Sequence, residues 1–338
     1  MPYTEEFYHR QKDGSSRSAH EIVPLVLRLL QPRHVIDVGC GLGTWLAVFK
    51  ELGCEEILGV DGAHVNTAML KIPADQFFAW DLRQPLRLNR QFDLVVSLEV
   101  AEHLPSDCAE SFVDSLTALG PVVLFSAAIP FQGGTHHVNE QWPEYWLRYF
   151  QARDFVVIDA LRKQIWHNPH VEYFYAQNIL MFAQRAYVDR HPVLKQAADH
   201  TSVTQLSIVH PQKYLEALTW MQRLYQTAQD IARLIPLGAA FILVDQEQFG
   251  PVVTAGRRAM PFLERDGHYW GPPSDDRTAI GELERLRQSG ARFVVFGWPA
   301  FWWLDYYAAF HRYLCAKFCC VLRNEHLIIF NLQQGADV

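Results

Sequence analysis

The sequence predicts an α/β chain in two parts: a doubly wound, mostly parallel sheet over residues 1–189 and a second, smaller α/β domain over 211–338. Three observations carry this. Short apolar runs alternate with helix-length segments through the first half, the pattern of strands joined by crossover helices. A glycine-rich loop, Gly39-Cys40-Gly41-Leu42-Gly43, stands where the first strand should end and the next helix begin. Near Tyr187 the composition turns polar, with His and Pro, and a second, shorter α/β alternation follows.

The elements are justified in turn. A helix is expected from Ser18, an N-cap residue with Glu21 at the capping-box position, to the stop at Pro32. Ile22, Val23, Val26, Leu27, Leu29 and Leu30 supply its apolar face. Compact apolar runs predict strands at His34–Val38, Glu56–Asp61, Phe77–Trp80, Phe92–Leu98, Pro121–Ala127, Phe155–Ile158 and Asn178–Phe182. Helices are expected at Thr44–Leu52, closed by Gly53, and at Ser111–Leu119. Residues 190–210 read as a linker. Pro211 opens a long helix to about Ile235 with Leu215, Leu218, Tyr225, Ala228 and Ile231 along one stripe, ended by Pro236 and Gly238. The remainder reads as strand Phe241–Val244, a loop over Arg257–Pro273, helix Arg277–Gln288, strand Arg292–Phe296, helix Trp303–Phe318 and strand Leu327–Phe330.

Composition excludes several classes. With 49% hydrophobic and 20% charged residues the chain is globular rather than disordered. A net charge of -7 argues against a broadly basic nucleic-acid binder, which needs clustered Lys and Arg to neutralise phosphates. No apolar run reaches the ~18–20 residues of a membrane span. The richest stretch, Phe293 to Phe310, is broken by Pro299 and Asp305. The acidic, aromatic N-terminus carries no signal-peptide pattern, so a cytoplasmic location is expected. The six cysteines form no CxxC pair and read as small apolar core residues in a reducing compartment.

The glycine loop departs from a dinucleotide-binding fingerprint. That pattern needs its third glycine at position 44, where this chain has Thr44; the third glycine comes one residue early, at Gly43. Acidic residues then arrive at successive strand ends. Asp37 lies two residues before Gly39, Asp61 ends the second strand, Asp81 follows the third, and Glu99 follows the fourth. A carboxylate at Asp61 suits a ribose diol, and one at Asp81 suits an adenine amino group. In a doubly wound sheet these positions line one crevice.

Together, Asp37-Val38-Gly39-Cys40-Gly41-Leu42-Gly43, Val60-Asp61, Trp80-Asp81-Leu82 and the run from Phe92 through Glu99 to His103-Leu104 resemble the motifs of class I S-adenosylmethionine-dependent methyltransferases over roughly residues 15–185. The resemblance implies a Rossmann-like sheet of seven strands with the last antiparallel, and S-adenosylmethionine as cofactor. It places Gly39, Gly41 and Gly43 under the methionine part, Asp61 on the ribose, and Asp81 and Leu82 at the adenine. Asp37 and Glu99 complete the expected cofactor set.

The segment after the fifth strand should face the transferring methyl. Ser97-Leu98-Glu99-Val100 stands where amino-directed enzymes carry Asn-Pro-Pro-Tyr or Asp-Pro-Pro-Tyr, and no Pro-Cys nucleophile pair follows. A hydroxyl acceptor needs its proton taken, which an imidazole does near neutral pH. His137 is placed first for that role, ahead of His136, with His103 as a further choice. The spacing of these histidines does not demand a metal, and none is assigned. Trp142, Trp146 and Trp166 are the expected substrate-stacking aromatics. The run His137–Trp146, with Ile165-Trp166, Val171-Glu172 and Gln177-Asn178, resembles a bacterial methyltransferase subgroup associated with glycan and polysaccharide biosynthesis, and the sugar substrate comes from that resemblance alone. The C-terminal half resembles, more loosely, a small domain appended to bacterial glycosyltransferases.

The expected function is methyl transfer from S-adenosylmethionine to a hydroxyl of a sugar or sugar-containing small molecule or glycan. The alternatives are a non-sugar acceptor (quinone, polyketide or peptide) and a non-catalytic cofactor-binding scaffold of a glycan-assembly complex. Residues 211–338 are the expected surface for a partner enzyme or a second copy of the chain; neither nucleic acid nor a membrane is an expected partner.

Overall fold

The computed structural model describes residues 5–254 and 256–333, and these divide into two compact units between Tyr214 and Leu215. In the first unit the elements run α1 (Glu5–Leu30), β1 (His34–Val38), α2 (Thr44–Glu51), β2 (Glu56–Asp61), β3 (Phe77–Ala79), β4 (Leu94–Leu98), α3 (Ala109–Leu119) and β5 (Val122–Ser126). They continue as α4 (Pro143–Gln151), β6 (Phe155–Ile158), α5 (Arg162–Ile165), α6 (Tyr173–Asn178), β7 (Leu180–Gln184), α7 (Arg185–Val188) and α8 (Pro192–Asp199). The seven strands form one sheet in the order β3-β2-β1-β4-β5-β7-β6. Pairing is parallel from β3 through β5, and β7 runs antiparallel to both β5 and β6.

The strands are buried on both faces because alternate residues feed two separate cores. Val35, Leu94, Val96 and Leu124 pack with Ile22 and Val26 of α1 and Trp45 and Phe49 of α2. Ile36, Val95, Val123 and Phe125 pack on the other side with Phe112 and Leu116 of α3 and Trp146 and Phe150 of α4. The helix expected from Ser18 begins instead at Glu5. Ser18 is buried within it, its Oγ donating to the Gly14 carbonyl at 2.8 Å and accepting from the Glu172 amide at 2.9 Å, so it joins two segments rather than capping one.

The second unit carries α9 (Pro211–Leu234, which spans the division), β8 (Ala240–Val244), β9 (Arg258–Pro261), β10 (Glu264–Arg265), β11 (His268–Tyr269), α10 (Asp276–Gln288), β12 (Ala291–Gly297), α11 (Trp302–Tyr306), α12 (Ala308–Lys317), β13 (Cys319–Arg323) and β14 (Leu327–Asn331). Its main sheet has the order β13-β14-β12-β8-β9. Strands β8, β9 and β12 are parallel, while β14 runs antiparallel to β12 and β13. Three elements depart from the sequence reading. The expected loop at 257–273 contains the edge strand β9 and a hairpin turned by Asp266 (φ 53°) and Gly267 (φ 81°). The single helix expected at 303–318 breaks at Tyr307, whose hydroxyl donates to the Pro273 carbonyl at 2.6 Å. The edge strand β13 leaves Cys319 and Cys320 exposed, as Cys315 is; only Cys40 and Cys54 are buried as core thiols. Among the described residues no helix is long and apolar enough to cross a membrane.

Residues 190–210 are not a free connector. They form α8 and the turn after it, with Leu194 and Leu206 fully buried in the two cores of the first unit. Arg162, itself buried and ion-paired to Asp159, donates to the carbonyls of Leu206 at 2.7 Å and Gln177 at 3.1 Å. The polar composition that suggests a linker belongs to the outer face of this segment. Leu206→Ala is therefore expected to cost about 2–5 kcal/mol, the range for emptying a buried leucine site, measured by denaturant unfolding. A chain ended at 189 should melt below one ended at 214; equal melting temperatures would return 190–210 to the role of a linker.

Candidate active site

The site begins at the β1–α2 turn. Gly39 has φ 91°, and a Cβ built on it would stand 2.3 Å from the Val100 side chain, so only glycine fits. Gly41 has φ 54°, and a Cβ there would meet nothing within 4 Å; it faces open space. Gly43, left-handed at φ 76°, caps the start of α2. The loop is tied to the next strand. The amides of Gly39 and Cys40 both donate to the Val60 carbonyl at 2.7 and 3.2 Å. Asp61 Oδ2 accepts from the Gly41 amide at 2.7 Å and Oδ1 from the Gly62 amide at 2.6 Å.

Two cavities meet over this loop and share Gly39, Gly41 and Glu99. The larger, about 640 Å³, reaches Asp61, Trp80, Asp81, Leu82 and His103. The smaller, about 120 Å³, reaches Asp37, Thr44 and Tyr175. Burial dominates the carboxyl groups here. It pushes Asp37 well above the usual carboxylate range, with the neighbouring Asp61 charge adding to the shift. Asp61 is raised less, since the two backbone N–H bonds favour its charged form. Asp81, at the exposed far end, is held below its ordinary value by the Arg83 guanidinium 2.8 Å away.

A buried polar cluster lies past the end of β4. Glu99, in the left-handed region at φ 55°, accepts hydrogen bonds from Gln132 Nε2 at 2.9 Å and Asn178 Nδ2 at 3.1 Å. Gln177 Nε2 and Asn178 Nδ2 both donate to Gln132 Oε1, at 3.1 and 2.8 Å. Glu102 is fully buried, and neither carboxylate oxygen has a hydrogen-bond partner of good geometry. Burial first and the Glu99 charge second push Glu102 well above its ordinary pKa, with nearby backbone N–H groups drawing it partly back. The loop after β5 is fastened over this point, because the amides of Val138 and Asn139 donate to the Glu102 carbonyl at 2.9 and 3.0 Å. That tether brings His137 against His103, ring centroids 4.8 Å apart and nearly perpendicular. His137 Nδ1 lies 2.8 Å from Glu140 Oε1. His103 is pulled down to about 4 by burial and has a buried Nδ1 without a partner.

The structure thus gathers Asp37, Gly39, Gly41, Asp61 and Glu99 about one crevice, with Asp81 and Leu82 on its outer wall and His103 at its inner end, whereas Gly43 lines neither cavity and a Cβ on it would stand 2.9 Å from Ile72. His136 is exposed and left-handed at φ 60°, while His137 turns inward. Of the three tryptophans expected at a substrate, Trp142 is 40% exposed, whereas Trp146, at 2%, packs against Phe125 in the core and cannot meet a ligand. Trp166 packs on His210, ring centroids 4.7 Å apart. Sequence reading missed Glu102, Gln132, Glu140, Gln177 and Asn178 as site residues. Glu102 stands in the same post-β4 run as Glu99 and His103, and its one available signal was that spacing of three along a turn.

Asp37 generates a pH prediction. Its pKa is higher folded than unfolded, so the folded state binds the extra proton; stability is greatest below the unfolded value of about 4 and falls as pH rises through the folded value. Asp37→Asn should therefore raise the melting temperature of the cofactor-free protein at pH 7 and raise it less at pH 4, where the parent carboxyl keeps its proton. A variant that melts lower than the parent at both pH values would show that the ionised carboxylate is stabilising instead.

Comparison with known proteins follows the same boundary. Residues 8–177, half of the chain, match the family profile of a methyltransferase domain. A ubiquinone biosynthesis O-methyltransferase of Rhodopseudomonas palustris (strain BisB18) is 29% identical over 164 residues, covering 42% of this chain and 59% of that protein. The protein of the same name from Bradyrhizobium diazoefficiens is 34% identical over 83 residues, 23% of this chain and 32% of that one. The chain thus spans less than two thirds of the length of these curated relatives. Among solved structures, a magnesium protoporphyrin IX methyltransferase of Synechocystis PCC 6803 with bound SAH superposes with a TM-score of 0.39 at 18% identity, covering 52% of this chain and 86% of that one. A SAM-bound amino pentose methyltransferase of Micromonospora echinaspora gives 0.40 at 15% identity, covering 52% and 96%. The glycine turn, the acids at successive strand ends and the matched half of the chain agree: this chain belongs to the methyltransferase domain family, with the class I fold and S-adenosylmethionine as its cofactor.

Proposed function

We propose that this chain transfers the methyl group of S-adenosylmethionine to a hydroxyl oxygen of a sugar or sugar-containing small molecule. One observation carries the reading: the glycine crevice ends on Glu99 and His103, and His137 packs against His103 with ring centroids 4.8 Å apart. The crevice fits the cofactor on its own geometry. The space above Gly41 is open where any other residue would place a Cβ. Asp61 is held rigidly by two backbone N–H groups, and a carboxylate with about four lone-pair sites still has capacity for two ribose hydroxyls. Gly39, Gly41, Asp37 and Glu99 would surround the methionine part, and Asp81 and Leu82 the adenine. The bound cofactor supplies an electrophilic methyl on a sulfonium.

The chain's own part is then positioning and proton handling. Methyl transfer needs the acceptor oxygen held in line near ~3 Å, which is worth more than any base. His137 would take the proton. Glu140 holds Nδ1 and so favours the tautomer whose lone pair is on Nε2. His136 points to solvent and does not share the role. The polar lining favours a hydroxyl-rich acceptor, and Trp142 offers a partly exposed ring for a sugar's C–H face. A second reading, a phenolic acceptor, is favoured by the naming of the relatives as ubiquinone biosynthesis O-methyltransferases and by Phe131 (90% exposed) and Val138 (64%) on the same loop.

The deciding experiment incubates the full chain with methyl-labelled cofactor and a panel of nucleotide sugars, glycans and phenols. Label on a sugar hydroxyl supports the reading, and label on phenols alone replaces it with the second. Asp61→Ala should weaken cofactor binding by about 1.5–3 kcal/mol through lost charge-assisted hydrogen bonds, read by calorimetry. His137→Ala should keep cofactor affinity and lower turnover by about 10²–10⁴-fold; unchanged turnover would remove it from the acceptor end.

A further inference from the structure

We propose that Glu102, His103 and His137 form a binding site for a divalent transition-metal cation. Each offers one ligand atom, and the three atoms lie within 4.8 Å of one another. Donors about 2.1 Å from a shared ion stand about 3.4 Å apart in a tetrahedral site and at most about 4.2 Å apart when opposite, so binding requires the side chains to draw together by roughly an ångström. One carboxylate oxygen and two imidazole nitrogens suit manganese, iron or zinc better than magnesium, which favours oxygen donors.

Three independent features of the cluster point to an ion. Glu102 is completely buried with neither carboxylate oxygen in a good hydrogen bond, an expensive arrangement that a cation would relieve. Both histidines already have their second nitrogen engaged as ligating histidines do. His137 Nδ1 is on the Glu140 carboxylate at 2.8 Å, and His103 bonds the backbone of His136, leaving Nδ1 buried and without a partner. The Glu99 carboxylate, fixed by Gln132 and Asn178, adds a second buried acid at the same end of the crevice, a further oxygen donor of the kind such cations take. The cluster is also reachable, since the larger cavity extends to His103.

The role of the ion rests on the O-methyl reading; its binding does not. An acceptor hydroxyl oxygen bound to the cation loses its proton to solvent more easily. As the new O–CH₃ bond forms, the sulfonium C–S bond breaks, and the sulfonium's positive charge leaves as that proton. With its Nε2 lone pair given to the ion, His137 is a ligand in this state in place of the proton acceptor, and Glu140 is a positioning residue for it.

The test uses the full chain stripped with chelator and then dialysed, with Mn²⁺ titrated and followed by calorimetry and by loss of the free-ion paramagnetic signal. The exposed thiols Cys315, Cys319 and Cys320 could take up Zn²⁺ by themselves, so Mn²⁺ is the primary probe. One equivalent is expected to bind. His103→Ala, His137→Ala and Glu102→Gln should each weaken it at least 10-fold, and Glu140→Ala about 10–100-fold as an outer-shell change. Melting curves of each variant verify folding, and His137, on a loop, keeps the test decisive if Glu102→Gln does not fold. No Mn²⁺ binding, or binding that survives in His103→Ala and His137→Ala alike, overturns the site. Cofactor titrated into the same stripped chain separates the two readings: cofactor bound without Mn²⁺ bound sinks only the cation site, and no cofactor binding sinks the methyl-transfer reading.

Discussion

The parallel pairing of β1 with β2 on one side and β4 on the other is the constraint on which the first unit depends. Val35 stands opposite both Ile57 and Leu94, so the chain must leave β1 in one direction for β2 and later return across it for β4. Where the strand order reverses, the loops at the carboxyl ends part and a crevice opens. Its floor is not free to move. The Val60 carbonyl takes two amide hydrogen bonds from the glycine turn, Asp61 takes a third, and Val100 closes over Gly39 at a distance no Cβ could share. Cofactor geometry is thus a consequence of strand pairing, transmitted through backbone hydrogen bonds rather than flexible side chains.

The acceptor end is built on a different principle. Glu99 and Glu102 sit in a low-dielectric pocket, and the chain satisfies one of them lavishly while leaving the other without good hydrogen bonds. Amide side chains from Gln132, before α4, and Asn178, at the end of α6, converge on Glu99. A half-satisfied buried network is costly in a purely structural role. Its position beside two oriented imidazoles is the reason to read it as functional, and it is also where the backbone carries left-handed residues without glycine: Glu99, Phe131 and His136.

The second unit builds its own sheet and cores. At the carboxyl end of β8, Asp245 accepts from the amides of Glu247 and Phe249 and so folds the turn that places Phe249 against Trp298. That carboxyl group has a structural job. The exposed aromatics Trp270, Trp302 and Tyr306 lie on the same unit.

By itself the sequence determined the seven strands of the first unit, the glycine turn and the acids at the strand ends, because each is written locally: an apolar run of strand length, glycines where φ must be positive, a carboxylate next to a strand terminus. The whole cofactor crevice follows from those local signals plus the rule that parallel strands share an end. Tertiary structure decided everything that needs distant segments to meet. Glu102 and His137 are thirty-five positions apart and become neighbours only because a backbone carbonyl tethers the later loop. Trp146 is expected from the sequence to stack on substrate and is a core residue because α4 turns it toward Phe125. The polar stretch 190–210 carries just two leucines that matter, Leu194 and Leu206, too few to register as periodicity but enough to seal both cores. Local propensity reports what a segment prefers to be; which side chains share a pocket is set by packing, and packing is a property of the whole unit.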